Sequence, residues 1–102
     1  MRIASSARTR WMPLTRASDR YTSGVDGINF LMRDGSIEVI CRIDLETLSQ
    51  FGRTIGLSET IEIFETGRAT IERAAATKYD RTSRRPYEVV TVTAGDLGLG
   101  DA

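Results

Sequence analysis

No histidine occurs among the 102 residues. That removes the commonest general base, the commonest metal ligand and every Ser-His or Cys-His nucleophile arrangement. What remains for chemistry is one thiol, carboxylates, tyrosines and arginines. Cys41 is the single cysteine, so it forms no intramolecular disulfide and builds no multi-cysteine metal site. Its neighbourhood, Val39-Ile40-Cys41, is apolar, and there a thiol reads as a small hydrophobe with a raised pKa more readily than as a reactive group. Glu62 and Glu65 stand three apart on a helical stretch. They hold a metal only with further ligands that nothing in the sequence places, and otherwise form a solvated face near a helix N-terminus. Gly98-Leu99-Gly100 opens no helix, and no segment matches a Walker loop. No catalytic, cofactor or metal site is assigned on these grounds, and the reading leans away from an enzyme. A pocket gathering Asp44, Arg68 or Tyr79 would reverse that.

Three sets of residues are better suited to binding. Arg68 lies four after Phe64 and three before Ile71, inside an apolar stripe, with Glu65 and Glu72 at i−3 and i+4. It is either snorkelled and locally paired, or it contacts an anion or a partner. Lys78, Arg81, Arg84 and Arg85 cluster with Tyr79 and Tyr87 and could touch phosphates. With no nucleic-acid module in sight, a solvated loop is the competing reading, and nucleic acid is disfavoured though not excluded. Leu31 and Ile40 are apolar residues on the second side of a hairpin, where they would leave exposed area of the kind that meets a partner.

These side chains need elements to carry them. Asp34-Gly35 between two alternating runs predicts a type I′ turn, pairing Met32 with Ile37, Phe30 with Val39 and Ile28 with Cys41 on one uniformly apolar face. The other face then receives Leu31 with Glu38 and Asn29 with Ile40. Asp44 is a plausible N-cap for a short helix carrying Leu45, Leu48 and Phe51, closed by Gly52 and Gly56. Ser58 reads as the N-cap of a second helix of about 20 residues, with Ile61, Phe64, Ile71, Ala75 and Tyr79 on its apolar face. After a polar loop over residues 80–86, the segment from Tyr87 to Thr93 is β-branched and reads as a third strand whose buried face the periodicity leaves open. The expected fold is α+β in the order β-β-α-α-β, a small antiparallel three-stranded sheet with two helices packed on one face. Residues 1–18 read as a flexible basic leader, 19–97 as one domain and 98–102 as a frayed tail.

Composition agrees with a single small core: 40% hydrophobic, 27% charged. Fourteen basic and fourteen acidic residues cancel, removing the net field that would suggest nucleic acid or an anionic membrane. The charge is uneven, with Arg2, Arg8, Arg10 and Arg16 but no acid in the first sixteen residues. No apolar run approaches the ~20 residues of a membrane span, so no membrane partner is expected. The lone cysteine fits a reducing compartment, read as the cytoplasm.

Gly27-Ile28-Asn29-Phe30, the Asp34-Gly35 turn, Val39-Ile40-Cys41 with Ile43, then Phe64, Arg68, Ile71-Glu72, Ala75, Tyr79, Val90 to Thr93 and Asp96-Leu97 together form a further pattern. In these positions the stretch from Asp19 to Leu97 resembles the small bacterial domain-of-unknown-function family numbered 1488. The resemblance implies an α+β fold in a bacterial cytoplasmic protein. It implies no activity, because the family is named for having none assigned. The missing catalytic residue types and the half-covered sheet lead instead to the expectation of a non-enzymatic binding or regulatory module that self-associates or binds a protein partner. The alternative is a weak nucleic-acid or phosphate binder using Arg81, Arg84, Arg85 and the leader.

Overall fold

A computed structural model describes residues 13–99. Within them β2 (Gly27–Asp34) and β3 (Ile37–Asp44) form the antiparallel hairpin that the sequence predicts. The side chains of Ile28, Phe30, Met32, Val39, Cys41 and Ile43 all point to one buried face. The register differs by two residues from the predicted one. Asp34 pairs with Ile37, Met32 with Val39, Phe30 with Cys41 and Ile28 with Ile43, so the loop is Gly35-Ser36. Gly35 has φ +63° while Ser36 is not among the positive-φ residues. That is the requirement of a turn with glycine first, type II′, and not of type I′. Asp34 is held in the ladder because its carboxylate accepts from Tyr79 Oη at 2.7 Å and from Arg84 Nη2 at 2.8 Å. A slip of two preserves the faces, since strand side chains alternate with period two, but it changes the partners: Leu31 stands opposite Ile40, not Glu38.

Directly after Asp44 comes α1 (Leu45–Ile55), which ends at Gly56 in the left-handed region, whose N–H donates to Gly52 O. Gly52 therefore lies inside the helix. The long helix α2 (Thr60–Arg81) is 22 residues, preceded by Glu59 and not Ser58 at the cap position. It buries Ile63, Phe64, Ile71, Ala75 and Tyr79 on the apolar face of the hairpin. Gly67 allows α1 to approach, because a Cβ there would sit 2.1 Å from the Phe51 ring.

Among the described residues the sheet has four strands and is mixed, in the order β1-β2-β3-β4, which corrects the expected three antiparallel strands at both edges. β4 (Val90–Val92) runs parallel to β3. The reason is the long helix. α2 carries the chain back until Tyr79 meets Asp34, at the end where β3 begins, so the next strand must run in the same direction as β3. Val90 and Val92 are buried while Val89 is 51% exposed, which resolves the face that periodicity left open. Tyr87 lies outside the strand and is fully exposed.

β1 (Thr15–Gly24) pairs antiparallel with β2 and was not predicted. Its sequence, TRASDRYTSG, has no apolar alternation. It is also irregular: Arg16 pairs with Met32 and Tyr21 with Phe30, so residues 17–20 bulge opposite Leu31. Leu14 is buried, and the strand thus occupies part of the segment expected to be leader. Residues 1–12, with Arg2, Arg8 and Arg10, lie outside the described residues. At the other end Leu97 and Leu99 pack against the core, and Leu99 N–H donates to Ala94 O at 2.9 Å, where fraying was expected. Residues 100–102 lie outside the described residues. Among the described residues no helix is long and apolar enough to cross a membrane.

Candidate functional site

Arg68 emerges on the sheet side of α2 and is 7% exposed. Its guanidinium spans the β1 bulge: Nη1 donates to Asp19 O and Nη2 to Ser18 O, both at 2.8 Å, while Nε donates to Glu72 Oε2 at 2.9 Å. The bulge turns consecutive carbonyls inward, and a planar fork of donors matches them. The plane also lies over Phe64 and Tyr21, 5.3 and 5.7 Å from their ring centres. Glu72 takes a second arginine, accepting from Arg16 Nε at 2.7 Å. Glu65, the other acid near Arg68 in sequence, accepts instead from Tyr21 Oη, and that bond raises the tyrosine's pKa. Every Arg68 donor nitrogen is thus engaged inside the fold, which makes Arg68 a buried strap between α2 and the first edge strand.

The loop cations do not converge on one site either. Arg81 donates to Asp96 Oδ1 at 3.3 Å, and Arg85 to Glu88 Oε2 at 3.4 Å. Arg84 pairs with Asp34 and Asp80 and lies over the Tyr79 ring, 5.0 Å from its centre. Burial pushes Asp34 up, but hydrogen bonds from Tyr79 and Arg84 outweigh it and hold the carboxyl below its ordinary value. Tyr79 is raised, by burial first and then by its bond to Asp34. Lys78, one of the loop cations, has a defined place. Its Nζ donates to Thr91 O on β4 at 2.6 Å and to Asp96 Oδ2 at 3.0 Å. Asp96 also accepts from Thr93 N and Oγ1, and its own N–H returns a bond to Thr93 Oγ1. This is the reciprocal arrangement of a capping box, and a T-x-x-D spacing was the signal that could have found it. Burial raises the Asp96 carboxyl, and the Thr93 and Lys78 bonds more than reverse it.

Cys41 is fully buried, and burial pushes its thiol up to about 12, with the charge of Glu72 adding to the shift. A thiol held there is not a thiolate at neutral pH.

The outer face of the sheet is different. α1 and α2 cover the opposite face, and on the outer one Leu31 is half-buried while Ile40 is 49% exposed. The two stand directly opposite each other, so the structure does bring this predicted pair together. On one side along the strands comes the pair Arg33 and Glu38, on the other Asn29 and Arg42. Ser18, Arg20 and Thr22 from β1 border the same surface, making a shallow hollow of about 490 Å³. Val90 and Val92, pointing inward, contribute nothing to it. The role of β1 as a wall of this hollow is what sequence reasoning missed, because its polar residues gave no strand signal.

A family profile described as Protein of unknown function (DUF1488) matches residues 18–90. No curated protein matches. A crystal structure of a protein of unknown function from the DUF1488 family of Shewanella loihica PV-4 is similar, with a TM-score of 0.62 and 15% identity, over 78% of this chain and 91% of that one. At that identity the likeness concerns the fold. With the profile running from the β1 bulge to the start of β4, the chain belongs to the DUF1488 family.

Proposed function

We propose that this chain is a non-enzymatic binding or regulatory module whose working surface is the outer face of its sheet, where it meets a protein, either a copy of itself or a partner. One observation carries the reading: the apolar Leu31–Ile40 pair lies in a shallow hollow on a face that neither helix covers. Apolar area grouped in this way, rimmed by polar side chains, is typical of an interaction surface. The alternative of a phosphate or nucleic-acid site is weakened because Arg81, Arg84 and Arg85 each already pair with a carboxylate of the same chain. We read the protein as one of a bacterial cytoplasm, supported by its lone buried cysteine and by the bacterial source of the related structure.

The test compares wild type with Leu31→Asp, both shown to be folded by circular dichroism. Tagged protein is purified from its native cells, and bound protein is measured as a stoichiometric ratio. The substitution is expected to remove the bound chain, whether partner or second copy. Retention of the same chain at the same ratio would overturn the reading.

A further inference from the structure

We propose that the outer face is closed by a second copy of the chain, stacked about a two-fold axis along the strands, with Arg33 of each copy against Glu38 of the other. This rests on the reading of that face as a binding surface and adds its occupant.

The face is complementary to itself. β2 presents Arg33, Leu31 and Asn29 outward, and β3 presents Glu38, Ile40 and Arg42 directly opposite them. An axis running between β2 and β3 exchanges the two strands. Leu31 then lies over Ile40 of the second copy and Arg33 over Glu38, with each contact made twice, as an isologous interface demands. Within one copy, Arg33 and Glu38 are registered partners, yet neither side chain has an ion pair among the described residues. Both are exposed, so their charges remain available. Arg42 is different: it lies 3.2 Å from Asp44 and 3.9 Å from Asp26. Among the described residues, Arg33 and Glu38 are the registered acid–base pair left open on this face, and they are the pair that a two-fold operation crosses. An unrelated partner would have to bring its own apolar centre with one acid and one base beside it, whereas a second copy already has them.

The size of the face sets the strength. Strands of this length at ~3.4 Å per residue and ~4.8 Å spacing give a footprint of about 500 Å². That falls short of the ~800 Å² per partner of a standard interface, which points to a weak, concentration-dependent dimer.

The full chain is therefore weighed by light scattering and sedimentation at low salt over about 1–300 µM, the range a small interface requires. Wild type is expected to rise from 11.3 kDa toward twice that mass. Glu38→Arg and Arg33→Glu, each an exposed substitution, are expected to raise the dissociation constant at least tenfold. An equimolar mixture of the two variants is expected to restore the dimer, because both crossed contacts become Arg with Glu again. A monomeric wild type at the highest concentration overturns this proposal and leaves the Leu31→Asp comparison to decide whether another protein uses the face. A dimer indifferent to both variants lies elsewhere and overturns it too. So does a dimer that the variants break and their mixture fails to restore.

Discussion

The two edges of the sheet are handled by one helix in two ways. At the β1 edge, Arg68 of α2 donates to two successive carbonyls of a bulge, and at the β4 edge Lys78, ten residues later, donates to Thr91 O. Each cation is steadied by a carboxylate, Glu72 for Arg68 and Asp96 for Lys78. Edge strands expose backbone groups that invite further pairing, and both devices occupy some of them. They differ in depth. The Arg68 side chain is 8% exposed and is flanked by aromatic rings, while that of Lys78 is 26% exposed. A fork that serves two carbonyls and an acid can be buried, because its donors find partners; a compact ammonium with two stays nearer water. The irregular ten-residue strand needs the deep fastening, and the three-residue strand does with the shallower one.

Loss of the two fastenings should do unequal damage. Arg68→Met leaves Glu72 and the bulge carbonyls without their buried donor and should cost about 3–5 kcal/mol in urea unfolding. Arg68→Lys should recover only a minor part of it, since a point charge cannot span the bulge. Lys78→Met should cost about 1–2 kcal/mol, with the loss of hydrogen-exchange protection confined to β4 and the following turn. Equal losses from the two substitutions would erase the distinction between the edges.

Acid should act on the β4 side. The Asp96 carboxyl is held below its ordinary value in the fold, so its contribution is complete above the usual carboxylate range and is lost as pH falls through the lowered value. Asp34 at the hairpin turn behaves in the same sense. Below about pH 4, amide protection should therefore fall around β4 and the β2–β3 turn, and Asp96→Asn should flatten the β4 response. The smallest effect is expected from Arg16→Gln. Its side chain is 39% exposed, solvent screens its bond to Glu72, and a loss under about 1 kcal/mol is the expectation in the same urea assay.

Much of the molecule's centre was legible in its residues. The hairpin and both helices follow from alternation, glycine placement and i+3, i+4 spacing, because apolar side chains on a single buried face leave a periodic trace. Even there the loop was misplaced by one residue, since local turn preference favoured Asp34-Gly35 and could not include the hydroxyl of Tyr79, 45 positions away, that keeps Asp34 in the ladder. The edges were not legible. β1 has little apolar area to bury, and what holds it is a side chain meeting backbone carbonyls, which any sequence possesses. Arg68 was visible as an oddity, a charge in an apolar stripe, while its principal acceptors were invisible for that reason. In the candidate surface, Leu31 and Ile40 were visible as an outward pair, but their being direct neighbours, and Arg33 standing beside Glu38, depended on the corrected register.

The bulge strap also bears on the order of events in synthesis. Ser18 and Asp19 leave the ribosome 50 and 49 residues ahead of the guanidinium that holds them. At roughly 5–20 residues per second, that is a wait of several seconds. During it β1 has neither its fastening nor an apolar face with which to collapse. A nascent chain arrested before residue 68 should therefore leave this segment open to proteases and chaperones, because β1 is secured only once the middle of α2 has been made.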